Sequence, residues 1–141
     1  ALFEQVLSCY RESVMSALFG EMDAAPDIRE GVRRLLNGAL DIHFNENNPG
    51  GCLVVLSLME SGQHDEQSLA SMQQTIQELK SALQARINKA RKNGDLTVQL
   101  DAGSTATTIA TTMAGMMVMG KENFTRASLK KTVNQVVSLL D

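Results

Sequence analysis

Apolar residues recur along this chain at spacings of three and four, the pattern of helices with one buried side. In the first stretch Leu2, Val6, Tyr10, Val14 and Leu18 fall every fourth residue, with Phe3 and Leu7 beside them, and Gly20 is the expected stop. A second helix is expected to open at Pro26 and Asp27, because proline suits a first turn and a carboxylate suits the positive helix end. Its inward side carries Ile28, Val32, Leu35, Leu36, Ala39, Ile42 and His43, widened by Leu40 and Phe44, and the polar stretch 45–51 breaks it.

The third segment, 52–59, is apolar except for Ser57, so periodicity does not separate a buried helix from a buried strand. A helix is preferred, since no other run offers a strand partner and a lone strand leaves its backbone unpaired. The fourth is the longest. Leu69, Met72, Ile76, Leu79, Leu83, Ile87 and Ala90 form its stripe, and Lys89, Arg91 and Lys92 sit at its end, where the helix dipole favours cations. Asn93 and Gly94 stop it, with Gly94 as a left-handed cap. The fifth starts near Asp101 with Ala102, Ala106, Ile109, Ala110, Met113, Met117 and Gly120 along one side. The sixth starts near Thr125 with Leu129, Val133, Val136, Val137 and Leu140. Six amphipathic helices joined by short loops predict an all-α, antiparallel helical bundle, in which the first and fourth form long antiparallel spines.

The fifth segment stands apart. No charged residue occurs from 102 to 120, its stripe is small (Gly103, Ala106, Ala110, Ala114, Gly115), and five threonines occupy other positions. Uncharged helices are covered on most sides. Two coverings fit: a second copy of the chain, or the subunit's own core. On the first, the partner face comprises Ala106, Ile109, Ala110, Met116, Leu129, Val133, Val136, Val137 and Leu140.

Composition narrows the function. The formal net charge is −3, and the 13 basic residues are scattered apart from Lys89, Arg91 and Lys92. DNA binding by this segment alone is therefore not expected, since phosphate binding needs a basic face. Cys9 and Cys52 are far apart, which suits a reduced cytoplasmic chain better than a disulfide framework. No apolar run reaches the ~18 residues of a membrane span. His43 and His64 lie in different segments without acids at ligand spacing, so neither a metal, a cofactor nor an enzyme is expected. Gly50 and Gly51 lack the rest of any phosphate-loop fingerprint.

Eight methionines are many for this length, and Met113, Met116, Met117 and Met119 crowd together. Flexible, polarisable side chains suit an adaptable cavity, and they also serve as plain core filler. Candidate ligand-binding residues on the inward stripes are Tyr10, Val14, Phe44, Val55, Met59, Met72, Ile76, Met113 and Met117, with Tyr10 and His43 as polar handles. Cys52 is a candidate thiol sensor, and a buried inert thiol is the simpler reading.

Several stretches resemble one family. Gly51 to Val55 followed by Glu60, then Leu83, 86–90, the trio Gly94, Asp95 and Leu96, and Asp101 are similar in order and spacing to the TetR family of regulators, AcrR-like type. The opening residues 1–7 resemble the helix that follows the family's DNA-binding module, and 126–140 resembles its final dimerising helix. The resemblance spans the chain and implies a C-terminal ligand-binding and dimerisation domain over 1–141. The helix-turn-helix module is missing from these residues. It further implies a homodimer through the last two helices, release of a repressor by a small apolar effector, and operator DNA bound only through that missing module. A stand-alone helical interaction module without an effector is the competing reading.

Overall fold

The computed structural model describes residues 5, 8, 9, 11–44, 66–119 and 124–141, without the side chains of Arg11, Ser68, Met72 and 117–119. The third sequence segment, together with Tyr10, Val55 and Met59, lies outside them. A π-helical turn, Arg11–Met15, leads into α1 (Ser16–Ala24). There follow α2 (Ile28–His43), α3 (Glu66–Lys92), α4 (Ala102–Met119) and α5 (Arg126–Ser138). No strand occurs among the described residues, so the all-α expectation holds.

The π turn explains the odd spacing of the first stretch. Positions four apart drift by about 40° per step around an α-helix. A turn holding one extra residue takes up that drift. It leaves Val14 half-buried and brings Met15, absent from the expected stripe, into the core beside Leu18. Gly20 does not stop this helix. It sits exposed, and Met22 beyond it is buried and holds the next turn to the core. Pro26 is the real terminator, because the residue before a proline is pushed to extended backbone. Ala25 has φ −68° and ψ 148° accordingly.

Helix α2 is the centre of the bundle. Ile28, Val32, Leu35, Leu36 and Leu40 are fully buried, and α2 touches each of the other four described helices. Glycine brings α1 close to it: a Cβ at Gly31 would stand 3.0 Å from the Met22 carbonyl oxygen, and one at Gly38 would stand 2.7 Å from a Leu18 methyl.

The turn after α3 is fixed by local chemistry. Gly94 has φ +78°, as its left-handed role requires. The Asp95 N–H donates to the Ala90 carbonyl (2.9 Å) and the Gly94 N–H to that of Arg91 (3.2 Å), the paired bonds of a Schellman ending. Leu96 then turns into the core at 3% exposure. Asp95 reaches back to α2: the Ile28 N–H donates to its Oδ2 at 2.7 Å, and the Arg29 guanidinium lies 3.5 Å from its Oδ1. Asp27, the N-cap rather than a helical residue, accepts from the Glu30 N–H at 2.8 Å. Two carboxylates thus meet the positive end of α2.

This tie sets the direction of the helices. The end of α3 lies beside the start of α2, and Thr75 and Glu78 of α3 lie beside Ser8 to Phe19. The first and fourth sequence segments therefore run in the same sense, not as antiparallel spines. Antiparallel packing holds for α2 with α5, where Arg29 donates to the Leu140 carbonyl (3.3 Å) and Arg126 pairs with Asp41.

Two outcomes follow from the caps. Asp95→Ala leaves the Ile28 N–H without its acceptor and Arg29 without its carboxylate, and lowers unfolding stability by about 1–2 kcal/mol, read from the urea midpoint. At α4, the Ser104 N–H donates to Asp101 Oδ2 at 2.7 Å. The backbone and side-chain hydrogen bonds from Ser104 hold the Asp101 carboxyl below its ordinary value. A depressed carboxylate stabilises the fold above its unfolded pKa and loses that contribution as pH falls through its folded pKa. Hence the Tm gap between the native chain and Asp101→Ala is full at neutral pH and narrows on acidification. A gap that is constant down to strongly acidic pH contradicts this role.

Candidate functional site

A cavity of about 410 Å³ opens between the π turn with α1 and α3. Ser8, Glu12 and Met15 line it from the first stretch, Ser16 and Phe19 from α1, and Thr75 and Glu78 from α3. Thr75 is 3% exposed, and its hydroxyl donates to the Ser71 carbonyl at 3.0 Å, which leaves its oxygen able to accept. Gln74 Nε2 donates to Glu78 Oε1 at 3.4 Å. Hydroxyls, two carboxylates, an aromatic ring and a thioether surround the space. Such a lining can orient a small molecule through hydrogen bonds, and among the described residues it includes no histidine, cysteine or lysine. Among the described residues no group of His, Cys, Asp or Glu is placed to hold a metal ion.

Four of the nine sequence-predicted ligand residues have described side chains, Val14, Phe44, Ile76 and Met113. Val14, Phe44 and Ile76 are half-buried against the core, and Met113 belongs to it. Met72 and Met117 lie on α3 and α4, with side chains outside the described set. His43 is buried with its ring edge-on to Phe44, centroids 4.7 Å apart, as a core-boundary histidine. Val14, Phe44, Ile76 and Met113, whose side chains are described, are not among the residues that line the described cavity. Periodicity marks apolar positions, and the polar lining residues occupy what that pattern treats as outer sides. Glu12 and Ser16, four apart in sequence, were the available signal. Cys9 is exposed, and Cys52 lies outside the described residues.

The last two helices show which covering their stripes have. Ala106, Ile109, Met116, Leu129, Val133, Val136, Val137 and Leu140 are all buried within the single chain, and Ala110 alone of the nine is half-exposed. Their apolar stripes close the subunit's own core. The opposite side of α4 is the side that the described residues leave uncovered.

That opposite side has its own character. Ser104, Thr107, Thr108 and Thr111 are exposed there, with Ala110, Thr112, Ala114 and Gly115 half-buried around them. Thr107 Oγ1 donates to the Gly103 carbonyl (3.0 Å), Thr108 Oγ1 to that of Ser104 (2.9 Å) and Thr112 Oγ1 to that of Thr108 (2.8 Å). These hydroxyls already have acceptors in their own helix. Covering them leaves no stranded donor, which removes the usual cost of burying a polar group. Beside this face a groove of about 230 Å³ runs between the start of α4 and the end of α5, floored by Ile109 and Val136 and edged by Leu139, which is 53% exposed.

Comparison with known proteins agrees with this architecture. The family model of the tetracyclin repressor-like C-terminal domain matches residues 29–136. No curated protein sequence matches. Two solved structures of cysteine mutants of the TetR family transcriptional regulator CifR, each complexed with 26-bp double-strand operator DNA, are similar over nearly the whole chain. One superposes with a TM-score of 0.86 at 27% identity, covering 97% of this chain and 72% of that one. The other gives 0.87 at 26%, covering 99% and 73%. A TetR family regulator from Cytophaga hutchinsonii shares the fold at 15% identity, with a TM-score of 0.72 and coverage of 91% and 66%.

Proposed function

Because the chain belongs to the tetracyclin repressor-like family, C-terminal domain, we propose that it is the effector-binding and dimerisation domain of a DNA-binding transcriptional repressor. The observation that carries this reading is the uncharged outer side of α4, where the hydroxyls of Thr107, Thr108 and Thr112 are bonded to the helix's own backbone. A flat, small-residue face of this kind fits a second copy of itself across a two-fold axis. Ala110 then sits at the seam, and the groove beside Leu139 receives apolar side chains of the partner.

Operator contact belongs to a helix-turn-helix module outside these 141 residues, at work in the cytoplasm. Support comes from the CifR neighbours, whose longer chains are bound to operator DNA, and from the net charge of −3, which suits no phosphate contact here. Among the described residues no helix is long and apolar enough to cross a membrane.

The effector enters between the first stretch and α3. The sequence reading expects an apolar ligand. The cavity's Ser8, Glu12, Ser16, Thr75 and Glu78 call for one that carries polar groups as well. A ligand seated there favours one spacing of α1 and α3, and it shifts DNA affinity only as far as it prefers one arrangement over the other.

Two outcomes test the reading. Thr107→Glu combined with Thr111→Glu places charges on exposed positions, so the fold survives with an unchanged far-UV spectrum. Burying them unpaired in a dimer seam costs several kcal/mol, and light scattering then reports the mass of one chain. A double variant that stays dimeric places the seam elsewhere. Secondly, a broad effector screen by thermal shift, run on the protein with its native flanking sequence, yields a stabilising ligand that weakens binding to DNA upstream of its gene. The expected coupling is about 1–3 kcal/mol, or roughly 5–150-fold in affinity. A protein that no ligand stabilises fits the stand-alone interaction module instead.

A further inference from the structure

The described lining of the 410 Å³ cavity carries charge of one sign. Its charged residues are Glu12 on the π turn and Glu78 on α3, one on each of the two walls. No lysine, arginine or histidine is among them. Lys80, two positions beyond Glu78, exerts its charge on Asp101 at the start of α4. Positions two apart on a helix do not share a face.

The uncharged part of the lining has a matching bias. The Thr75 hydroxyl spends its hydrogen on the Ser71 carbonyl (3.0 Å), so it offers a ligand only an acceptor. Ser8 and Ser16 add hydroxyls that accept as readily as they donate. Glu78 accepts from Gln74 Nε2 at 3.4 Å, and a carboxylate has about four lone-pair sites. Acceptors therefore dominate the polar surface, and an anionic ligand meets repulsion. Met15 and Phe19 complete the wall. An aromatic ring attracts a cation through its face and also covers a carbon skeleton. A metal ion does not suit this mixture. Among the described residues no group of His, Cys, Asp or Glu is placed to hold one, and hard cations need oxygen ligands on most sides.

We infer that the effector of this cavity is an organic amine, bound as its ammonium form between Glu12 and Glu78 with its carbon skeleton against Phe19 and Met15. The inference rests on the effector reading above and names the ligand's chemistry. The N–H groups of the ammonium supply the donors that the hydroxyl and carboxylate oxygens accept, and such charge-assisted bonds are the stronger kind. An ammonium shared by carboxylates on two elements favours the arrangement that holds the π turn near α3. That preference is the differential affinity a signal requires.

Thermal shift and titration calorimetry on the protein with its native flanking sequence test this. The probes are 2-phenylethylammonium, its neutral analogue 2-phenylethanol and the anion 3-phenylpropionate. Glu12 and Glu78 are exposed, so Glu12→Gln and Glu78→Gln keep the native far-UV spectrum. The amine raises the Tm of the native protein, the alcohol raises it less, and the anion leaves it unmoved. Either glutamine variant raises the Kd for the amine by about 3–5-fold, the upper range for exposed charge pairs, and leaves that for the alcohol unchanged. An amine that does not bind, that binds the native protein and both variants equally, or that binds more weakly than the anion overturns the inference. In each of those cases the thermal-shift screen still decides the effector reading. A neutral or anionic ligand whose stabilisation is lost in Ser16→Trp, which fills the cavity, upholds that reading without the amine, so the two fail separately.

Discussion

Helix α4 spans eighteen residues with no charged side chain, and that single constraint organises the carboxyl half of the molecule. One side, with Ala106, Ile109, Met113 and Met116, closes the core against α2, α3 and α5. The other side carries no charge among its described residues, and Thr107, Thr108 and Thr112 donate to carbonyls of their own helix. A surface helix normally keeps one polar face, and this one has turned three of its hydroxyls back onto its own backbone.

The trio Gly94, Asp95 and Leu96 connects that half to the rest. Gly94 supplies the left-handed cap, Leu96 enters the core, and Asp95 binds the amino end of α2. A three-residue resemblance that is weak as a sequence motif thus has a distinct physical role at each position. The tie aligns α3 with the first stretch, so that the π turn, α1 and α3 frame one cavity. Arg29 extends the same junction to the Leu140 carbonyl, which links the start of α2 to the end of α5.

Much of the fold was legible in the sequence. The stripes of α2 and α3, the caps at Asp101 and Thr125, and the stop at Gly94 all follow from local rules that tertiary contacts did not override. What escaped was set by non-local contacts. Gly20 reads as a breaker, yet the burial of Met22 carries the helix past it. The π turn leaves only a drifting spacing as its trace. The direction of α1 relative to α3 depends on Asp95, whose partner lies 67 positions away in the chain. At the candidate site the sequence favours greasy positions, whereas the described lining adds to Met15 and Phe19 hydroxyls and carboxylates that an apolar pattern assigns to solvent.

The apolar stripes of α4 and α5 taught the sharper lesson. Seen as sequence, they suit a partner chain and an internal core equally well. The coordinates use them internally and leave the threonine face outside, so the two-fold contact we propose falls on side chains that no hydrophobicity pattern selects. Sedimentation velocity of the unaltered protein, over a concentration range from nanomolar to micromolar, tests that contact most directly. A single species of twice the chain mass throughout the micromolar range is the predicted result. A species of one chain mass at every concentration contradicts it.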